Sequence, residues 1–274
     1  MDPILYTLVI LVFTGIMVGF ASGLLGVGGG FLMVPVQYYL LAALGIDPTL
    51  AIRIAFGTSL AVVIPTALSS AWGHHCRQCV LQQPLRAMIL PCTLGGFAGG
   101  TIATHLPGRW MEALFGLIIC LAAARMMTGT SPLPAQETPA RIPALHAILW
   151  GLLFGSASGL LGIGGGIIMV PVMVSVMRFS MHQAIGTSTA LMIGSSVSGV
   201  LSYIVNGLGV SGLPSWSFGY VNLLLWVPLV AVSIPMAQAG VISAHRLPAE
   251  KIRLIFVAAM AVVGIAMMIS GVRS

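Results

Sequence analysis

The sequence predicts an all-α membrane protein made of two inverted-topology repeats, each with about five hydrophobic segments and a short helix interrupted or re-entrant at a glycine-rich motif. Three observations carry this. The 274 residues are 58% hydrophobic and only 6% charged, with a mean hydropathy of +1.07, against about 25% charged residues in a soluble domain. The apolar residues come in long runs, which suit helices and not the ten-residue alternating strands of a barrel. Finally, the chain repeats itself: Gly19–Val36 matches Gly155–Val172 at 14 of 18 positions.

The repeat extends beyond that stretch. "GTS" at Gly57–Ser59 returns at Gly186–Ser188, and "LP" at Leu106–Pro107 returns at Leu247–Pro248, in the same order. The expected organisation is a first membrane repeat over 1–127, a linker over 128–143 (the longest polar stretch, "TGTSPLPAQETPARIP"), and a second membrane repeat over 144–274.

Taken in order, the first-half segments are 4–25, 31–44, 51–72, 85–104 and 110–127. The second-half segments are 145–161, 167–177, 184–205, 220–241 and 252–272. The last three of each half approach the ~20 residues of a spanning helix, whereas the second of each half is too short to cross comfortably. The first run leads straight into the glycine motif and lacks a basic n-region, so it is expected to be a membrane segment and not a cleaved signal. If each half crosses an odd number of times, Arg77, Arg86, Arg125, Arg141, Arg178, Arg246, Lys251 and Arg253 share one side, and only Arg53, Arg109 and Arg273 the other. The positive-inside rule then puts both termini outside. An even number of crossings splits the charges without bias.

The motifs "GLLGVGGGFLMVPV" and "GLLGIGGGIIMVPV" (Gly23–Val36, Gly159–Val172) break their own helices. Glycine admits positive φ and close approach, and helices restarting at Phe31 and Ile167 would aim their N-terminal dipoles at the break. Interrupted helices in paired halves are how secondary transporters build midplane sites. The expected anion-binding residues are therefore Gly28, Gly29, Gly30, Gly164, Gly165 and Gly166, with hydroxyls from Thr58, Ser59, Thr187 and Ser188. Ser22 and Ser158 precede the glycine runs at similar spacing. Arg53 and His182, each five residues before a GTS threonine, are candidate mouth residues. The alternative is that the glycines serve only helix packing. A dinucleotide loop fits poorly, because the pattern needs glycine where Phe31 and Ile167 stand and a strand before it.

These paired motifs resemble the sulfite exporter TauE/SafE family, also called the toluene sulfonate uptake permease family, over nearly the whole chain. The resemblance implies a carrier of sulfite, sulfonates or related sulfur-containing anions in a bacterial inner membrane, with neither substrate nor direction fixed. The expected partners are a small anion and the lipid bilayer. The scattered basic residues do not suggest nucleic acid, no cofactor or metal is expected, and the oligomeric state is open.

The acidic residues Asp2, Asp47, Glu112, Glu137 and Glu250 sit at segment ends or in loops, so no carboxylate proton relay is expected. Export could then run on membrane potential, with proton coupling through histidine as the alternative. Cys92 and Cys120 read as small core residues. "HHCRQC" (His74, His75, Cys76, Cys79) is the one metal-like or redox-like constellation. A channel or permease for another solute, and an intramembrane or redox enzyme, remain as competing classes. Catalysis is disfavoured because no nucleophile–base set or carboxylate pair falls within the apolar segments.

Overall fold

The computed structural model describes residues 3–128, 143–244 and 249–273. Most of the expected linker, together with Arg141, Arg246 and Leu247–Pro248, lies outside them. The first half forms α1 (Pro3–Leu25), α2 (Gly30–Ala43), α3 (Pro48–His75), α4 (Gln82–His105) and α5 (Gly108–Thr128). The second forms α6 (Ala144–Leu161), α7 (Gly166–Ser175), α8 (Met181–Gly207), α9 (Leu223–Ala244) and α10 (Ala249–Arg273). Among the described residues six helices, α1, α3, α4, α6, α8 and α9, are long and apolar enough to cross a membrane.

Polar residues at the breaks set several ends. The Asp47 carboxylate accepts from the N–H groups of Thr49 and Leu50 at 2.9 and 3.1 Å and so caps α3, which opens on Pro48, a residue whose missing N–H costs nothing there. Ser180 and Gln183 form a capping box on α8. One expected boundary is corrected. The apolar segment taken to begin at residue 220 opens inside a two-stranded ribbon, β1 (Ser217–Phe218) and β2 (Val221–Asn222), turned at Gly219 with φ +57°. Helix α9 starts only at Leu223, where the Asn222 side chain accepts from Leu225 N–H at 3.1 Å.

Glycine staircases bring the two halves together. Gly15, Gly19 and Gly23 of α1 follow Leu229, Ser233 and Ala237–Val241 of α9 in ascending order, so these helices run parallel. Gly151, Gly155 and Gly159 of α6 follow Met88, Cys92 and Gly96–Gly100 of α4 in the same way. A Cβ on Gly19 would lie 2.7 Å from Ser233 Cα, and one on Gly155 would lie 2.8 Å from Gly96 N. In lipid, where apolar burial gives no preference for a neighbouring helix, such backbone approach is the main source of association. The corresponding helices of the two halves pack in descending order instead. On α3 and α8, Gly57 meets Tyr203 and Leu60 meets Gly199. On α5 and α10, Gly116 meets Met268, and Gly271 meets Arg109 and Ala113. Each of these two pairs is antiparallel.

Gly19→Val and Gly155→Val each force a helix pair apart. Both are expected to cost more than the ~1–3 kcal/mol of ordinary overpacking, because backbone stands on the other side. Thermal unfolding of the detergent-solubilised protein measures this.

Candidate functional site

Both glycine motifs adopt the same backbone. Gly26, Gly28 and Gly29 have φ of +66°, +79° and +68°; Gly162, Gly164 and Gly165 have +67°, +81° and +82°. A side chain at any of these would be strained. Gly29 and Gly165 are the N-caps of α2 and α7, which restart at Gly30 and Gly166, one residue earlier than the sequence suggests. Each short helix therefore opens on N–H groups that it cannot satisfy itself, and consecutive left-handed glycines turn further N–H groups the same way.

The two tips meet. A Cβ on Gly30 would lie 2.6 Å from Ile163 Cα, and one on Gly166 would lie 2.7 Å from Val27 Cα. These two glycines are needed for the contact itself. Gly28 faces the Met192 methyl group and the Ile163 carbonyl, Gly164 faces Val63 and the same methyl group, and Gly166 faces the methionine sulfur at 2.9 Å from the same construction. Met192 is fully buried on α8 between the tips; its flexible thioether adapts to an irregular junction. All six expected glycines are buried.

Around the tips stand hydroxyls that sequence reasoning only partly found. Ser22, Ser70, Ser158 and Ser196 are fully buried, and their side-chain oxygens have no hydrogen-bond partner among the described residues. Ser158 packs under Gly165, its Cβ 3.2 Å from where a Cβ of that glycine would be, and the Ser196 hydroxyl lies 3.6 Å from the same position on Gly164. Ser22 occupies the equivalent position to Ser158 in the first motif. Ser70 stands one turn before His74, whose Nε2 is 3.1 Å from the Gly23 carbonyl. Ser70 and Ser196 had no repeated motif to mark them; the available signal was only a small polar residue in an apolar run. A buried hydroxyl without a partner is costly. Ser158 and Ser196, beside the helix N-termini, are neutral donors of the kind that suits a small oxyanion.

The GTS residues have other partners. The Thr58 hydroxyl accepts from Asn222 N–H, the entry to α9, and the Thr187 hydroxyl accepts from Leu81 N–H, the entry to α4, both at 3.0 Å. Each threonine thus fastens a helix start in the opposite half. Ser59 accepts from the Gln37 amide at 3.1 Å, tying α3 to α2. Ser188 donates to Ile185 O at 2.9 Å and lies 3.3 Å from Gly26 O at the first tip. Of the four, Ser188 is the one in contact with a glycine motif.

The candidate mouth residues differ from each other. Arg53 donates to Leu106 O at 3.1 Å and to the Tyr220 hydroxyl at 3.3 Å, and it stacks over the Tyr220 ring. It closes the C-terminus of α4. His182 is exposed on the first turn of α8. In "HHCRQC", His74 is turned inward against α1, away from exposed Cys76. Among the described residues no three His, Cys, Asp or Glu side chains converge on a metal-sized site. Burial pushes the Cys79 thiol up from its usual range, partly offset by Arg77, so the loop holds no activated thiolate there. An apolar hollow of about 330 Å³, lined by Ala61, Ile64, Pro65, Val221, Leu223 and Trp226, lacks the polar groups an anion needs.

Glu112 modifies the sequence expectation. It does sit near a segment end, five residues into α5, yet it is fully buried. Periodicity did not reveal this, because the groups that enclose it come from α2 and α10.

A family model described as Sulfite exporter TauE/SafE matches residues 11–267. The chain is 30% identical over 264 residues to a probable membrane transporter protein of Haemophilus influenzae, covering 96% of this chain and 99% of that relative. It is 24% identical over 267 residues to a probable membrane transporter protein of Methanocaldococcus jannaschii, covering 97% of each. A third such protein, from Bacillus subtilis, is 26% identical over 215 residues, covering 73% of this chain and 79% of the relative. No solved structure matches significantly.

Thr58→Val and Thr187→Val each strand a backbone N–H. A loss of about 1–3 kcal/mol is expected for either, seen as a lower unfolding midpoint, with Thr→Ser restoring most of it. Ser158→Ala and Ser196→Ala remove no bond and should leave the midpoint unchanged.

Proposed function

Since the chain belongs to the sulfite exporter TauE/SafE family and is a membrane transporter, we propose that it exports small sulfur-containing anions, such as sulfite or organosulfonates, across a bacterial inner membrane. The observation that carries this is the pairing of two helix N-termini with Ser158 and Ser196, buried hydroxyls beside the glycine tips that have no hydrogen-bond partner among the described residues. The proposed first contacts are the N–H groups of Gly28–Gly30 and Gly164–Gly166 with Ser22, Ser158 and Ser196, and Ser70 and Ser188 beside them. In this proposal Thr58, Thr187 and Ser59 hold the helices that frame the site, and Arg53 and His182 stand at its two mouths. Binding by neutral donors, with no lysine or arginine at the tips, is weak enough to allow release on the far side. A monovalent anion leaving a negative-inside cell gains ~2.3 kcal/mol per 100 mV.

The halves are proposed to be inverted in the membrane, with both termini outside. Two independent features support this. The antiparallel packing of α3 with α8 and of α5 with α10 is what a two-fold axis in the membrane plane produces. The same helix directions gather Arg77, Arg86, Arg125 and Arg178 at one end of the bundle and Arg53 and Arg109 at the other.

A second reading has an observation in its favour. Gly30 and Gly166 have backbone of the opposite tip in the place of a side chain, which suits a permease for another small solute whose glycines only close the helices. A panel of sulfite, thiosulfate, sulfate, sulfoacetate and taurine in proteoliposomes separates the two. Transport of a sulfur oxyanion is expected, with Ser158→Ala and Ser196→Ala each raising the half-saturating concentration about tenfold at unchanged stability, the value of one lost hydrogen bond. Unchanged saturation in both variants would remove these serines from the site.

The topology has its own check. Cys76 is exposed on the loop between α3 and α4. A membrane-impermeant maleimide should label it in inside-out vesicles and leave it unlabelled in intact cells; the reverse pattern would put the termini inside.

A further inference from the structure

The transport reading makes no use of Glu112, the one fully buried carboxylate among the described residues. Both its oxygens are cut off from solvent without a close hydrogen bond. The polar groups that interact with it are the hydroxyls of Tyr38 on α2 and Ser270 on α10, which lie 3.5 Å from each other. Tyr38 is itself buried, and it stands on the short helix that starts at the first glycine tip. The cluster therefore joins the outer end of α5 to the element that carries half of the proposed site.

The charged and titratable surroundings are few. Helix α2 brings Tyr38 and also Tyr39, whose hydroxyl reaches Ala266 O at 3.5 Å. Helix α5 itself brings Arg109, which is exposed and stacked on Trp110. Helix α10 brings Ser270, and Arg273 follows three residues later in sequence. The faces of α3 turned to α5 are Thr49, against Gly108, and Phe56, stacked on Phe115. None of these described contacts supplies a cation to the carboxylate. Ionisable groups enclosed within membrane segments are expensive and serve proton or ion movement far more often than structure.

We propose that Glu112 is a proton-binding site that couples proton uptake and release to the position of the re-entrant helix α2, through Tyr38. The step is a simple acid–base exchange. A proton enters from the water at the outer end of α5, the carboxylate becomes a neutral carboxyl group, and its O–H can then donate to the Tyr38 or Ser270 hydroxyl. Release reverses this, and those hydroxyls become donors to the carboxylate. Reversal of the hydrogen-bond direction changes what Tyr38 can do without any change of fold, and α2 moves with Tyr38. The inference rests on the transporter reading for its purpose, though not for its detection.

The test uses full-length protein in lipid, with two readouts. The first is a pH-difference infrared spectrum over the carboxyl C=O stretch. A titrating band is expected in the wild type, lost in Glu112→Gln and shifted in midpoint but retained in Tyr38→Phe. The second is proteoliposome transport of isethionate, whose sulfonate keeps one charge throughout, driven by either a pH gradient or a membrane potential. Glu112→Gln should lose the response to the pH gradient and keep the response to potential. It should fold normally, since it removes an enclosed ionisable group. Absence of a band that depends on Glu112 overturns the proposal, whatever transport does. A band with an unchanged pH-gradient response in Glu112→Gln overturns the coupling. If the wild type carries neither isethionate nor sulfite, the substrate reading fails, and the infrared titration still decides the proton site.

Discussion

The contact between the two glycine tips is the constraint on which the rest of the structure depends. Non-helical backbone cannot face lipid, because its N–H and C=O groups would be left unpaired in hydrocarbon. Two breaks deep in the bundle are tolerable only if each is enclosed by protein. Here each tip encloses the other, with Gly30 against Ile163 and Gly166 against Val27. Such contact needs the Cβ positions vacant on both sides. It also needs long helices on either flank, which α3 and α8 provide: Gly26 rests on Ile185 of α8, and Gly162 on Phe56 of α3.

That mutual enclosure explains the exchange of fastenings between the halves. Each tip projects against the other half, so ties within one half, such as that of Ser59 to Gln37, are joined by ties between the halves. Thr58 of the first half fixes the start of α9, and Thr187 of the second fixes the start of α4. Helix α9 in turn lies along α1, whose end forms the first tip, and α4 lies along α6, whose end forms the second. A movement of one half relative to the other therefore carries both tips along. Symmetric fastening of this kind makes the bundle an arrangement of two coupled bodies around a shared centre.

Much of this was legible in the sequence, for identifiable reasons. The helices are long apolar runs, and the breaks are glycines that no helix prefers, so both register locally. Duplication made the breaks stand out, because the same local anomaly occurs twice at matched positions. The staircase at Gly15, Gly19 and Gly23, with its copy at Gly151, Gly155 and Gly159, was equally available as a small-xxx-small pattern. What was not legible depends on partners far along the chain. Thr58 and Thr187 looked like ligand hydroxyls because nothing near them in sequence needs an acceptor; the N–H groups they receive belong to Asn222 and Leu81. The second strand of the ribbon, Val221–Asn222, was absorbed into an apolar run, since Tyr220 and Val221 fit either state. Glu112 looked peripheral because depth was judged by distance from a segment end, while its burial comes from α2 and α10.

The pseudo-symmetry also marks where the two halves have diverged. Arg53 is engaged with Leu106 and Tyr220, while its counterpart His182 is exposed. Val63 stands where the second half has Met192; both side chains meet Gly164, and the longer methionine also reaches Gly28 and Gly166. The offset that pairs Leu106–Pro107 with Leu247–Pro248 puts Arg253 at the position of Glu112. In the proposed inverted arrangement, a perfectly repeated protein would present the same surface to both sides of a membrane and gain nothing from crossing it in one direction. The differences lie on the central methionine, the Arg53–His182 pair and one enclosed carboxylate, whereas the glycine backbone and the threonine fastenings are kept. Duplication thus supplies the enclosed centre, and the unequal side chains around it supply whatever makes one face of the membrane different from the other.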